Sequence, residues 1–230
     1  MYLKAAERDM QKYKGYKIDT IFIGGGTPSV LSEHNIYELS EGINKNFSIS
    51  EDAEFTAEVN PDTVTDEKIK AFKSIGVNRI SMGVQSFSDA ELRLLGRVHD
   101  SRRAASAAEI ISRYIDNYSF DIMTGIPSQT MESLKHTLDT AFALNPSHLS
   151  CYSLIIEEGT EFYKLYEENK LNQPDEDTDR EMYHFLCAYL EENGYNRYEI
   201  SNFAKNNRQC RHNLKYWSCD EYIGIGVAAH

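Results

Sequence analysis

Short apolar runs alternate along the chain with segments that have the periodicity of helices. Five apolar, β-branched runs end next to glycine, asparagine, proline or glutamine, and their starts lie roughly 25 to 40 residues apart. This spacing is typical of strand–helix units in a parallel sheet. The five runs are Ile18 to Ile23, Ala53 to Val59, Arg79 to Val84, Ser119 to Met123 and His148 to Leu154.

The segments between these runs carry helix signals. Thr65, Ser88 and Thr130 stand where hydroxyl caps are expected, and Gly76 follows the first of these helices. The pattern changes after residue 155, where Glu157 to Asp179 is acidic and polar. An amphipathic helix then runs to Gly194, and residues 195–200 are predicted as a further strand. We therefore expect a barrel-like core over 1–155 and a helical extension with a final strand region over 156–230.

Unusual residues follow the predicted strands, at the sheet edge where ligands bind in parallel α/β folds. Gly24, Gly25 and Gly26 follow the first strand, and an acid, Asp121, interrupts the fourth. The glycines predict a tight turn, or a backbone surface laid against the polar end of a ligand. A phosphate loop is a weaker interpretation because no Gly-Lys-Ser/Thr ending follows. Because a buried carboxylate needs partners, Asp121 is expected to point into a polar cavity.

Composition narrows the function classes. The 230 residues contain 24 basic and 36 acidic side chains, a formal charge of -12, which argues against nucleic acid as the main partner. The sequence has neither an apolar run of membrane-spanning length nor a signal-peptide core, so a cytoplasmic location is expected. The four cysteines, Cys151, Cys187, Cys210 and Cys219, are far apart and are expected to be free thiols.

A set of motifs in a fixed order resembles one enzyme family. These are FIGGGTPS, EVNPDTVTDEKI, GVNRISMGVQSF, LLGRVHD, FDIMTGIPSQT and HLSCYSLIIEEGT, followed by YEISNFA and CRHNLKYW. They resemble radical S-adenosylmethionine proteins of the oxygen-independent coproporphyrinogen III oxidase type. The resemblance implies a partial (β/α)6 barrel of the TIM-like kind and S-adenosylmethionine across the strand ends. The implied S-adenosylmethionine-binding positions are Gly25, Gly26, Thr27, Glu58, Gln85, Arg97 and Asp121.

The chain departs from that family in one respect. The family holds a 4Fe-4S cluster with a CxxxCxxC loop after its first strand, and this motif does not occur in the 230 residues. The resemblance begins at the family's second strand, so we expect the chain to be a fragment that lacks the first strand and a C-terminal domain. A naturally cluster-free relative is the alternative. Either way, the chain alone is expected to lack the family's oxidoreductase activity.

The resemblance includes two branches, which differ in function. One oxidatively decarboxylates coproporphyrinogen III to protoporphyrinogen IX, and the other binds haem and is thought to deliver it to proteins. The segment HNLKYW resembles the HNxxYW signature of the haem-chaperone branch. This implies a candidate haem site of His212, Asn213, Tyr216 and Trp217. The alternative is that His212 and the aromatic residues only close a hydrophobic core.

Small molecules and other proteins are both expected as partners of this chain. S-adenosylmethionine and a tetrapyrrole are the expected small molecules, and haem-acceptor proteins are the expected macromolecules. A sheet whose first strand is missing exposes backbone groups, so self-association along that edge is also expected. A non-catalytic barrel that binds a partner protein through the acidic stretch Glu157 to Asp179 is a further alternative.

Overall fold

Seven strands form one mixed sheet in the computed structural model, which describes residues 2–227 and 229. The strands are β1 (Lys17–Ile23), β2 (Ser48–Val59), β3 (Arg79–Gln85), β4 (Tyr118–Thr124), β5 (His148–Ser153), β6 (Asn196–Arg197) and β7 (Asn202–Ala204). Their order in the sheet is β1-β2-β3-β4-β5-β7-β6. The pairings from β1 to β5 are parallel, whereas β7 pairs antiparallel with β5 and β6 pairs antiparallel with β7. The sheet is an α/β half-barrel, which confirms the expected fold class.

Nine α-helices connect and cover the described strands. They are α1 (Tyr2–Gln11), α2 (Glu33–Asn46), α3 (Asp66–Ser74), α4 (Asp89–Leu94), α5 (Ser101–Ser112), α6 (Met131–Ala143), α7 (Glu161–Glu167), α8 (Glu176–Glu192) and α9 (Arg211–Trp217). Two 3-10 turns, Pro28–Val30 and Pro61–Thr63, follow β1 and β2. The predicted hydroxyl caps are present, since Thr65, Ser88 and Thr130 each accept a hydrogen bond from the first turn of their helix.

The two faces of the sheet have opposite chemistry because side chains alternate along each strand. The outer face is apolar and packs against the helices. It includes Phe55, Ala57, Val59, Ile80, Met82, Val84, Phe120, Ile122 and Leu149, all of them buried. The opposite side, which we call the polar inner face, carries Glu54, Thr56, Glu58, Arg79, Ser81, Ser119, Asp121, His148 and Ser150. The main hydrophobic core therefore lies between the sheet and the helices.

Two predicted elements differ from the structure. Residues 195–200, predicted as one strand, form only the two-residue β6, and the strand that reaches the main sheet is β7. The last long helix begins at Glu176, earlier than its apolar pattern indicates, because the Asp175 side chain accepts a hydrogen bond from the Thr178 amide and caps it. None of the described helices has the length and apolar content needed to cross a lipid bilayer.

Candidate functional site

A polar cavity of about 180 Å³ opens at the carboxyl ends of β1 to β4. Six of the seven residues predicted to bind S-adenosylmethionine line it, and the seventh, Gly25, donates its backbone N–H to one of them. The cavity is lined by Gly26, Thr27, Glu58, Val59, Asn60, Ser81, Gly83, Gln85, Arg97 and Asp121. The structure thus brings together residues that are far apart in sequence, because parallel strands end at one edge of the sheet.

The glycine loop after β1 is fixed by Glu58 from β2. The Gly25 amide donates to Glu58 Oε2 at 3.2 Å, and Gly25 has a φ of 80°, a conformation that favours glycine. A Cβ on Gly24 would lie 2.8 Å from Glu58 Cδ and 2.7 Å from Phe22 Cε1. A Cβ on Gly26 would meet no protein atom within 4 Å. A Cβ on Gly24 would therefore force the Phe22 or Glu58 side chain to move, whereas Gly26 leaves space open on the cavity side.

Two carboxyl groups on the polar inner face give the cavity acceptor character. Burial raises the pKa of Asp121 to about 6, although the hydroxyls of Ser81 and Ser150 and the charge of Arg79 oppose this rise. Ser81 Oγ lies 3.1 Å from Asp121 Oδ1. Burial, followed by the nearby charge of Asp121, also raises the pKa of Glu58. A cation placed between these groups would stabilise both of them in the ionised form.

Arg97 and Gln85 provide the donors of the cavity. Burial lowers the pKa of Arg97, an effect that the charges of Asp121 and Asp62 partly oppose. Gln85 is buried at the end of β3 with a φ of 70°, which is unusual for a residue with a side chain. A Cβ on Gly83 would lie 3.0 Å from Gln85 Nε2, so Gly83 leaves room for that amide. The cavity therefore combines the Arg97 guanidinium and the Gln85 amide with the two carboxyl groups.

Four lining residues are absent from the predicted set, namely Val59, Asn60, Ser81 and Gly83. Asn60 directly follows β2, and its buried Oδ1 has no hydrogen-bond partner among the described residues. Ser81 is identifiable in the sequence as a polar residue inside the apolar run RISMGV, at the same strand level as Glu58. The unpartnered Oδ1 of Asn60 and the Ser81 hydroxyl, which contacts Asp121, therefore add to the polar lining of the cavity.

The candidate haem residues form a second cluster on a different part of the sheet. His212 is partly buried on α9, its Nδ1 lies 3.0 Å from Thr20 Oγ1, and its ring stacks on Phe22 with centroids 5.2 Å apart. Burial lowers the pKa of His212, so the imidazole is predominantly neutral at pH 7, as iron ligation requires. None of the four lines the polar cavity.

The aromatic side chains beside His212 are exposed. Tyr216 is 48% exposed and Trp217 is 59% exposed, so neither is a core residue. Tyr216 lies edge-on to His212, with ring centroids 5.4 Å apart, and packs against Tyr222 at 4.8 Å. Among the described residues, the side chains of Tyr216 and Trp217 are therefore not part of the hydrophobic core. They form an exposed aromatic surface next to a neutral imidazole.

Comparison with known proteins identifies the family. The sequence model of the Radical SAM superfamily matches residues 1–141. The chain belongs to the radical SAM superfamily. Among curated radical SAM relatives, the heme chaperone HemW of Bacillus subtilis is 42% identical over 235 residues, which cover 100% of this chain and 62% of that protein. The heme chaperone HemW of Escherichia coli is 40% identical over 229 residues, which cover 99% of this chain and 60% of that protein.

A solved radical SAM structure shows the same fold. Coproporphyrinogen III oxidase (HemN) from Escherichia coli superposes with a TM-score of 0.84 at 24% identity, covering 99% of this chain and 56% of that chain. The expected resemblance is thus confirmed, and within the superfamily the chain is of the HemN/HemW type, nearer the HemW branch. The chain spans about three fifths of the length of the curated relatives named above.

The radical SAM family implies S-adenosylmethionine and a 4Fe-4S cluster. The polar cavity fits the first of these, because its carboxyl groups match an ammonium and ribose hydroxyls while Arg97 matches a carboxylate. The described residues do not fit the cluster. Cys151 and Cys210 are buried, Cys219 is exposed, and no described group of three or more His, Cys, Asp or Glu residues is arranged to hold a metal ion.

Proposed function

We propose that this chain is the S-adenosylmethionine-binding half-barrel of a haem-handling radical SAM protein. The observation that carries the proposal is the convergence of Gly26, Thr27, Glu58, Gln85, Arg97 and Asp121 on one cavity at the strand ends. Glu58, Gln85 and Asp121 come from three different strands, Gly26 and Thr27 from the loop after β1, and Arg97 from the loop between α4 and α5. Such convergence around a single polar cavity is typical of a ligand site.

The cavity residues have distinct roles in this proposal. The Arg97 guanidinium binds the carboxylate of the methionine moiety, and the backbone at Gly25, Gly26 and Thr27 lies against the same end of the ligand. Glu58 and Asp121 accept hydrogen bonds from the ammonium group and from ribose hydroxyls. S-adenosylmethionine also carries a positive sulfonium, so its net charge matches a cavity with two acids and one base.

The proposed haem function rests on the cluster around His212. Its neutral imidazole is a suitable axial ligand for haem iron, and the exposed rings of Tyr216 and Trp217 can lie against a flat macrocycle. The HemW proteins of Bacillus subtilis and Escherichia coli, whose sequences are similar, bear the name heme chaperone. We assign haem-acceptor proteins as partners on the same basis.

Calorimetry with S-adenosylmethionine tests the cavity. We expect wild type to bind weakly, because Gly25, Gly26 and Thr27 supply hydrogen bonds of only ~1 kcal/mol each. Gly26→Ala places a methyl group in the open space and should lower affinity about tenfold without loss of stability. Gly42→Ala on α2 is a control, since its Cβ would make only an ordinary contact, 3.7 Å from Met10 Sδ, and Gly42 does not line the cavity. Equal affinity in wild type and Gly26→Ala would reject the assignment.

A Soret-band titration tests the haem site. We expect His212→Ala to abolish the ligated haem spectrum, whereas the control His136→Ala, which removes an exposed histidine on α6, should leave it unchanged. The proposal is contradicted if the Soret-band titrations of both variants match that of wild type. Loss of the spectrum in both variants would also reject a specific ligand role for His212.

The oxidase alternative requires a different assay. An anaerobic assay for protoporphyrinogen, on a version of the protein extended to the length of its HemW relatives, should show little or no product. Robust decarboxylation would assign the protein to the oxidase branch instead.

Self-association along β1 stays a prediction, and sedimentation velocity over a concentration series tests it.

A further inference from the structure

One buried carboxylate on the sheet accepts hydrogen bonds at the start of α9, where the Arg211 side chain also donates to the Asp52 carbonyl oxygen at 2.6 Å. Glu54 on β2 is 6% exposed, and its side chain accepts hydrogen bonds from the segment that leads into α9. The Arg211 amide donates to Oε2 at 2.9 Å, and the His212 amide donates to Oε1 at 2.9 Å. The Cys210 thiol donates to the same Oε1 with a sulfur–oxygen distance of 3.5 Å.

These contacts use both oxygens of Glu54 on consecutive residues. A carboxylate is the only side-chain group that offers two oxygens, both of them pure acceptors, in one plane. Hydrogen bonds to an ionised acceptor are about twice as strong as neutral ones. Replacing one oxygen by an NH₂ group, as glutamine does, would place an amide donor opposite a backbone N–H donor of α9. The interaction therefore depends on the carboxylate and not only on the size of the side chain.

The imidazole of His212 is oriented by contacts of its own. Thr20 Oγ1 meets Nδ1 at 3.0 Å, and Phe22 stacks against one face of the ring. Lys215, one turn further along α9, pairs with Asp19 Oδ2 at 2.9 Å. With Nδ1 engaged by Thr20, Nε2 is the ring nitrogen left for a ligand. The Glu54 side chain from β2 thus holds the backbone of His212, while the Thr20 and Phe22 side chains from β1 hold its ring.

We propose that Glu54, assisted by Thr20, is the positioning residue that holds His212 for haem ligation through Nε2. This inference rests on the proposed haem function and adds two residues that do not themselves touch the haem. Glu54 fixes the start of α9 and therefore the backbone of His212. Thr20 fixes the rotation of the ring and leaves Nε2 as the ligating atom.

Spectroscopy of two variants tests the inference. Glu54→Gln and Thr20→Val should each lower haem affinity about tenfold and shift the Soret band toward that of haem without a protein ligand. Added imidazole should restore the ligated spectrum in both, because the macrocycle surface is intact. Glu51→Gln, an exposed change on the same strand, is the matched control and should behave as wild type. The inference is overturned if Glu54→Gln and Thr20→Val both keep the haem affinity and spectrum of wild type while His212→Ala loses haem binding.

Hydrogen exchange separates failure of this inference from failure of the proposed function. The amide protons of Arg211 and His212 should exchange faster in Glu54→Gln than in wild type, and at the wild-type rate in Glu51→Gln. Unchanged exchange in Glu54→Gln would overturn the positioning role. A wild-type chain that binds no haem would instead refute the haem function, and exchange at these two amides would still decide whether Glu54 holds α9.

Discussion

Replacing Asp121 by asparagine should stabilise the ligand-free protein while weakening ligand binding. Burial raises the pKa of Asp121 from 3.8 to about 6, so the folded protein holds the proton more tightly than the unfolded chain. The difference of about two pKa units corresponds to a destabilisation of ~3 kcal/mol at pH values above both. Asparagine has the same shape without the charge, and the Ser81 hydroxyl, which can accept as well as donate, can still bond to it.

The sign of the pH dependence follows from the direction of this pKa change. Folding raises the pKa of this carboxyl group. The free energy of unfolding therefore falls as the pH rises from the pKa in the unfolded chain to the pKa in the folded protein. The free energy of unfolding of Asp121→Asn should therefore exceed that of wild type most above about pH 7, where we expect a difference of roughly 1–3 kcal/mol. This difference should fall to about half of that near pH 5 and be almost absent near pH 3.5.

Urea denaturation of wild type and Asp121→Asn across this pH range is the assay. Asp116→Asn is the control, because that side chain is 81% exposed and its ion pair with Arg208 lies on the surface. If Asp121→Asn is less stable than wild type by the same amount at every pH, burial of an ionised carboxylate is not what raises the pKa, and the reasoning is refuted.

Affinity for S-adenosylmethionine should fall as the pH drops below about 6, because Asp121 then takes up a proton; calorimetry at pH 5 and pH 8 measures this change. Gly24→Ala should destabilise the fold by about 1–3 kcal/mol in thermal or urea unfolding, since its Cβ would collide with Glu58, whereas Gly26→Ala should not. Ile122→Ala should cost about 2–5 kcal/mol in the same assay, as a fully buried residue of the outer face.

Much of the half-barrel could be predicted because each main strand is an apolar run with a clear end. The start of β2 could not, since Ser48 to Asp52 is largely polar and joins the sheet only because it pairs with β1, next to an irregular register between Ile18 and Thr20. The strands β6 and β7 are too short for alternation to show. Their position depends on tertiary pairing with β5, which a local pattern does not contain.

The cavity could be predicted in outline, and the contacts of α9 could not. Glu58 and Asp121 stand out as acids in apolar strands, so their placement was visible in the sequence. Glu54 shares that signal, since it lies four residues before Glu58 and therefore on the same face of β2. Its partners Arg211 and His212 are about 160 residues away in sequence, and no local pattern predicts that pairing.

The polar inner face allows the cavity to be altered by substitution without disturbing the hydrophobic core. Phe120 and Ile122 maintain the apolar layer under the helices, whereas Asp121 between them faces the opposite side. Neighbouring residues on one strand therefore have separate tasks, one in packing and the next in lining the cavity. An inner-face side chain can be exchanged without opening a void under the helices. Alternation along the strand thus makes a single scaffold open to many chemistries.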